Sequence, residues 1–187
     1  DGSKIRVIGT SDGNITTQNI ITTPKAENGF IISDIERDII KIVVYNRYTP
    51  SVPQVAFVHG FNLKYGAIAS TIAHDSHNII AIGTNDESLT YAINQLIEYK
   101  GGIIAGHDNE WETLPLPVAG LMSVEDGEEV ACKYNILNDT VAKLGCKYKA
   151  PFMTLSFLAL LVIPELKLSD KGLFDSKTMK FSSLFVK

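Results

Sequence analysis

The sequence predicts an α+β (mixed α/β) fold, with helices packed on a mostly antiparallel sheet. Three observations carry this. Short β-branched runs of strand length recur, as in Ile-Ile-Lys-Ile-Val-Val-Tyr over residues 39–45. Two longer stretches carry apolar residues at helical spacing instead. The two kinds of segment are mixed along the chain but do not strictly alternate. At 187 residues, 45% hydrophobic and 20% charged, the chain is globular and long enough to bury one sizeable core.

The elements follow in order. Residues 1 to about 28 are polar and irregular, with short strands expected at 5–8 and 19–22, and 1–30 could be linking strands from an upstream domain. Thr23-Pro24 and Asn28-Gly29 read as turns. The strand at 39–45 is broken by Thr49-Pro50-Ser51-Val52-Pro53, and a second strand follows at 55–61. Residues 67–74 and 78–82 form a hairpin spanning 66–83, joined by Asp75-Ser76-His77, since Asp and Ser side chains bond nearby backbone amides in turns.

A helix comes next. Thr84 and Glu87 have capping-box spacing, and Leu89, Ala92, Ile93, Leu96 and Ile97 make one apolar stripe. Gly101 and Gly102 stop it, and a strand at 103–105 completes a strand-helix-strand crossover unit. A second helix spans about 124–144. Ser123 is its expected cap, Glu125 and Asp126 favour its positive end, and Val130, Tyr134, Leu137, Val141 and Leu144 mark its buried face. The apolar run 152–163 is shorter than the roughly 20 residues of a membrane span, so it is a core segment. Polar turns near 169–172 and a last strand at 181–186 end the chain.

Charge and composition exclude several roles. There are 17 Lys and Arg against 21 Asp and Glu, a net charge of −4, where a nucleic-acid or anionic-membrane partner favours a basic face. Cys132 and Cys146 are too few for a disulfide framework, which suits reduced thiols in a cytoplasmic protein. No phosphate-binding fingerprint and no Cys/His zinc spacing occurs. The first residue is Asp1 rather than Met, as expected of a piece of a longer polypeptide.

The densest polar cluster is His74-Asp75-Ser76-His77-Asn78, between two apolar strands. Imidazole can donate, accept or bind metal near neutral pH. His74, Asp75 and His77 are the catalytic candidates, and Ser76, Asn78 and Arg47 the substrate-binding ones. Two His do not close a metal site, and adjacent residues rarely make a triad, whose members converge from different elements. A plain polar turn with satisfied side chains competes evenly with a functional loop. His59 reads as a half-buried structural residue. His107-Asp108-Asn109-Glu110 reads as a solvated turn, and Lys147-Tyr148-Lys149 as a solvated end to the second helix.

Three blocks, the third in two pieces, carry a family resemblance. Gly66-Ala-Ile-Ala-Ser-Thr-Ile-Ala-His-Asp-Ser-His-Asn-Ile-Ile-Ala-Ile-Gly-Thr-Asn-Asp86 resembles the C-terminal domain of adenine deaminases of the amidohydrolase superfamily. So do Leu114-Pro-Leu-Pro-Val-Ala-Gly-Leu-Met-Ser123, Pro151-Phe-Met-Thr-Leu-Ser-Phe-Leu-Ala-Leu160 and Ile163-Pro-Glu-Leu-Lys-Leu168. The blocks keep the family's order and spacing, and the resemblance covers about 5–186. Asn46-Arg47-Tyr48 stands where Glu-Arg-His is usual, Leu161 where Pro is, and Asn62 where Gly is.

The resemblance implies hydrolytic deamination of adenine to hypoxanthine and ammonia, a step of adenine catabolism and purine salvage. It implies manganese or iron in an upstream β/α barrel, activating water to attack C6 of the purine. The superfamily's His-x-His motif is absent here, and a barrel needs about 250 residues, so no TIM barrel lies in this chain. The expectation is therefore one domain over 1–187 that binds no metal, is inactive alone, and completes or orders the adenine site of the barrel in the same polypeptide, within a homo-oligomer. The alternatives are a non-catalytic purine- or protein-binding module and a structural dimerisation domain.

Overall fold

The computed structural model describes residues 3–186. Fourteen strands and three helices follow in chain order among them. The first six strands are β1 (Lys4–Gly9), β2 (Gln18–Thr22), β3 (Lys25–Glu27), β4 (Phe30–Ile32), β5 (Ile39–Tyr45) and β6 (Gln54–His59). Then come β7 (Ala67–Ser70), β8 (Ile79–Gly83), α1 (Asp86–Glu98), β9 (Gly102–His107) and β10 (Glu110–Pro115). The rest is α2 (Gly127–Lys143), α3 (Pro151–Phe157), β11 (Leu166–Ser169), β12 (Gly172–Asp175), β13 (Lys180–Phe181) and β14 (Phe185–Val186).

The main sheet runs β10-β9-β7-β8-β5-β6-β1, with β2 and β14 also on β1. Every pairing in it is antiparallel except β1 with β6. The expected α+β architecture is thus the observed one. β8 and β9 each pair antiparallel with β7, so they run parallel to one another with β7 between them. The strand-helix-strand unit is therefore a crossover that spans one strand.

The central strands read as unbroken apolar runs because both of their faces are buried. Val43, Ala67, Ala69, Ile79, Ala81 and Ile104 point to one side and pack on Leu89, Ala92 and Leu96 of α1. Their neighbours Ile42, Val44, Ile68, Ile80, Ile82 and Ala105 point to the other side. There they join Leu137 and Val141 of α2, Phe152 and Leu155 of α3, and Leu166 and Leu168 of β11. The small Ala67, Ala69 and Ala81 let α1 sit close to the sheet. The exposed edge strand β10 carries Glu110 and Glu112 and ends in Pro115, which discourages further pairing.

Several sequence expectations move. Asn85, not Thr84, caps α1: its side chain accepts from the Ser88 amide at 2.8 Å. The second helix starts at Gly127, and Asp126 caps it by accepting from Glu128 and Glu129, while Ser123 accepts from the Glu125 amide. Ile97, expected on the apolar stripe, is exposed. The run 152–163 is helical only through Phe157, and Val162 is exposed. The last strand divides in two: β13 pairs with β12 and β14 with β1. Residues 4–9 form a strand inside the main sheet, with Ile5, Val7 and Ile8 fully buried. His59 is exposed, and Tyr148 packs on Phe61 and bonds to Thr10. Cys132 is exposed and Cys146 buried, both free, and burial pushes the Cys146 thiol up to about 11. Among the described residues no helix is long and apolar enough to cross a membrane.

The turn after β6 hangs on one carboxylate. Buried Asp38 accepts from the amides of Gly60 and Asn62, both at 2.7 Å. Asn at position 38 keeps one acceptor oxygen and turns an NH2 group against the second amide. The Asp38→Asn variant is expected to lose about 2 kcal/mol of stability. Urea unfolding reads this directly, and an unchanged midpoint overturns it.

Candidate functional site

Sheet register gathers the candidate residues. β5 and β8 are antiparallel with Tyr45 opposite Ile79, so Arg47, two residues past one strand, meets His77, two residues before the other. Ser70 pairs with Ile103 and Gly102 with Pro115, which brings loops 71–78 and 116–122 to the same end of the sheet. The 66–83 hairpin pairs as expected, Ala67 with Gly83, but its strands stop at Ser70 and start again at Ile79. The connection is an eight-residue loop, 71–78, rather than a tight turn.

The loop is clamped from three sides. Arg47 Nε donates to the His77 carbonyl at 2.6 Å, and its Nη2 donates to the Ala119 carbonyl and, at 3.1 Å, to the Tyr48 hydroxyl. Tyr48 Oη in turn donates to the Ser76 carbonyl at 2.9 Å. Gly120 lies so close that a Cβ there would sit 2.6 Å from the guanidinium, and its φ of +74° suits glycine. From the second side, Thr71 Oγ1 donates to the Gly120 carbonyl at 2.6 Å and accepts from the Gly102 amide at 2.9 Å. From the third, the His74 amide donates to the Ser156 carbonyl of α3, and the His74 ring lies 4.8 Å from that of Phe157.

The side chains differ in what remains available. Asp75 and Ser76 are exposed at the tip, and Asn78 is buried at the base. The rings of His74 and His77 are 5.7 Å apart, edge to face. His77 Nδ1 accepts from the Ala73 amide at 3.3 Å, so the neutral ring carries its proton on Nε2. Burial holds the His77 pKa below the ordinary value, aided by the positive charges of His74 and Arg47 and opposed by Asp75. A neutral imidazole donor, a carboxylate and a hydroxyl are thus presented on a braced loop. Among the described residues, no three His, Cys, Asp or Glu converge to hold a metal ion.

Sequence reasoning singled out the loop and Arg47 but missed Tyr48, Thr71, Gly120, Ser156 and Phe157, which hold the loop. Only the spatial neighbourhood of four separate segments reveals them. Asn46 extends the same hub: its Nδ2 donates to Asp170 at 2.9 Å, and its Oδ1 accepts from Tyr48 and Thr49.

Fold and loop together define an α+β domain that collects its chemistry in interlocked loops at one sheet end. The chain belongs to the adenine deaminase C-terminal domain family, whose model matches residues 14–180. It is 53% identical over 182 residues to an adenine deaminase of Methanosarcina acetivorans, covering 97% of this chain and 33% of that protein. An adenine deaminase of Salinibacter ruber is 50% identical over 188 residues, with 99% and 34% covered. One from Methanothermobacter thermautotrophicus is 44% identical over 184 residues, with 98% and 34% covered. The chain thus spans about a third of the length of these curated relatives.

Proposed function

We propose that the chain is one domain that completes the substrate site of an adenine-hydrolysing enzyme, producing hypoxanthine and ammonia in the cytoplasm as part of purine salvage. The observation that carries this reading is the braced loop. It holds exposed and half-buried polar side chains in one geometry from three sides, where a plain surface turn needs no such bracing. The likeness to adenine deaminases three times as long supports it.

In this reading His77 offers its Nε2 proton to a ring nitrogen of the purine. Ser76 and Asp75 read the rim of the base, and Arg47 sets where His77 stands. In the same reading, manganese or iron is held by an upstream barrel of the same polypeptide, in a homo-oligomer. There such an ion supplies hydroxide at neutral pH.

His77→Ala, placed in a polypeptide that includes the upstream part, is expected to lower kcat/KM about tenfold, the loss of one substrate hydrogen bond. Steady-state hypoxanthine release measures it. An unchanged kcat/KM overturns the contact.

A further inference from the structure

Between the segment that follows β5 and the end of α1 lies a cavity of about 350 Å³. Ile79, Leu96 and Gly101 are its buried lining, and Tyr48, Pro50 and Ile97 are the exposed part, with Ile97 47% exposed. Both of its charged residues are cations, Arg47 and Lys100, and no Asp or Glu is among the described residues that line it. The whole chain has a net charge of −4. A concave wall with two positive charges and none to balance them runs against that excess and calls for an anion.

Both cations have capacity left. Arg47 spends Nε and Nη2 on His77, Ala119 and Tyr48, and its Nη1 has no hydrogen-bond partner among the described residues. Lys100 is exposed, and its ammonium makes no ion pair or hydrogen bond among them. Capping α1 does not need that ammonium. The carbonyls of Leu96 and Ile97 accept from the backbone amides of Gly101 at 2.8 Å and Lys100 at 3.1 Å, so the negative end of the helix is closed by the backbone itself. Lys100 does so at a φ of +61°, the left-handed region where a helix usually ends on Gly or Asn. A lysine thus stands where the backbone favours glycine, and what it adds to the cavity is its charge.

We propose that this cavity binds a small organic phosphate, its head held by Arg47 and Lys100 and its apolar body against Ile97 and Tyr48. A phosphate monoester carries about two negative charges at pH 7, which matches two cations. Arg47 offers the Nη1 hydrogens in a fixed plane, and Lys100 offers a point charge on a flexible stem. Tyr45 and Thr49 add hydroxyl donors to the same wall for the remaining oxygens. The proposal goes beyond the purine reading of loop 71–78 and does not depend on it.

The test is amide NMR of this 187-residue chain, which buries its own core, titrated with phenyl phosphate at low salt. Phenyl phosphate is expected to bind with a Kd of about 1 mM and to shift the amides of Thr49, Lys100 and Gly101. Inorganic phosphate lacks the apolar body, and phenylacetate carries a single charge. Each is expected to bind about tenfold more weakly. Lys100→Gly removes the cation at a position whose φ suits glycine, so it is expected to keep the parent's urea midpoint and to lose about tenfold in affinity. Lys100→Arg keeps the charge and is expected to keep most of the binding. No shift at these three amides, or shifts spread evenly over the surface lysines, overturns the proposal. So does binding of inorganic phosphate or phenylacetate as tight as that of phenyl phosphate, or an affinity unchanged in Lys100→Gly. None of these outcomes alters what His77→Ala does to kcat/KM, so this site and the reading of the loop stand or fall separately.

Discussion

Replacing Arg47 with Ala is expected to cost about 3 kcal/mol of stability and to release loop 71–78. The guanidinium donates to the carbonyls of His77 and Ala119 and to the Tyr48 hydroxyl, which itself donates to Ser76. Each bond from a charged donor contributes about 1.5–3 kcal/mol, and partial exposure brings the sum down to the figure given. Arg47→Lys is not expected to rescue it. An ammonium at the end of a flexible stem cannot serve two carbonyls from a fixed plane, nor fill the flat space against Gly120. Urea unfolding measures the loss, and hydrogen exchange of the Ala73 and His77 amides reports the loop. A variant within about 0.5 kcal/mol of the parent, with loop amides still protected, overturns the clamp. A direct purine contact by Arg47 shows a different signature: weaker substrate affinity with unchanged stability.

The same residue marks the limit of what the sequence makes legible. His74-Asp75-Ser76-His77-Asn78 stands out because five polar residues interrupt two apolar strands, and a local pattern suffices to find such an interruption. Arg47 has no local signature as a clamp. Its place follows from Tyr45 standing opposite Ile79, a pairing between segments more than thirty residues apart. Thr71 and Gly120 are likewise joined only because β9 bridges the strands they flank.

The fold divides along the same line. Helices α1 and α2 were legible because their apolar residues repeat within one segment. The cap of α1 shifted by one residue because Thr84 and Asn85 are both good caps. The tie is broken by Thr84 Oγ1, which donates to the Gly66 carbonyl across the hairpin. Residues 181–186 look like one strand locally. They are divided because the Ser182 amide donates to Leu173 while Phe185 pairs with Ile5, near the other end of the chain.

Lys167 carries the other large expected effect, and no local feature of its strand announces it. It is 0% exposed, and its Nζ donates to the carbonyls of Ile15 at 2.8 Å and Phe157 at 3.1 Å. Both partners are neutral, so burial lowers its pKa from 10.5 to about 8. The unfolded chain therefore binds a proton between about pH 8 and 10.5 that the folded chain has released, and stability rises with pH across that window. The penalty is fully present below pH 8 and amounts to about 3 kcal/mol once integrated. In Lys167→Met the ammonium is gone, and so is the window. Two carbonyls then lose their donor, which costs about 2 kcal/mol, so the variant is close to the parent at pH 7, where the two effects oppose. Urea unfolding of both proteins from pH 7 to pH 10 is expected to show the parent gaining on the variant by most of that 3 kcal/mol, because other titrating groups cancel in the difference. A gap that stays constant with pH means that the folded protein keeps Lys167 charged, with water reaching the ammonium between Ile15 and Phe157.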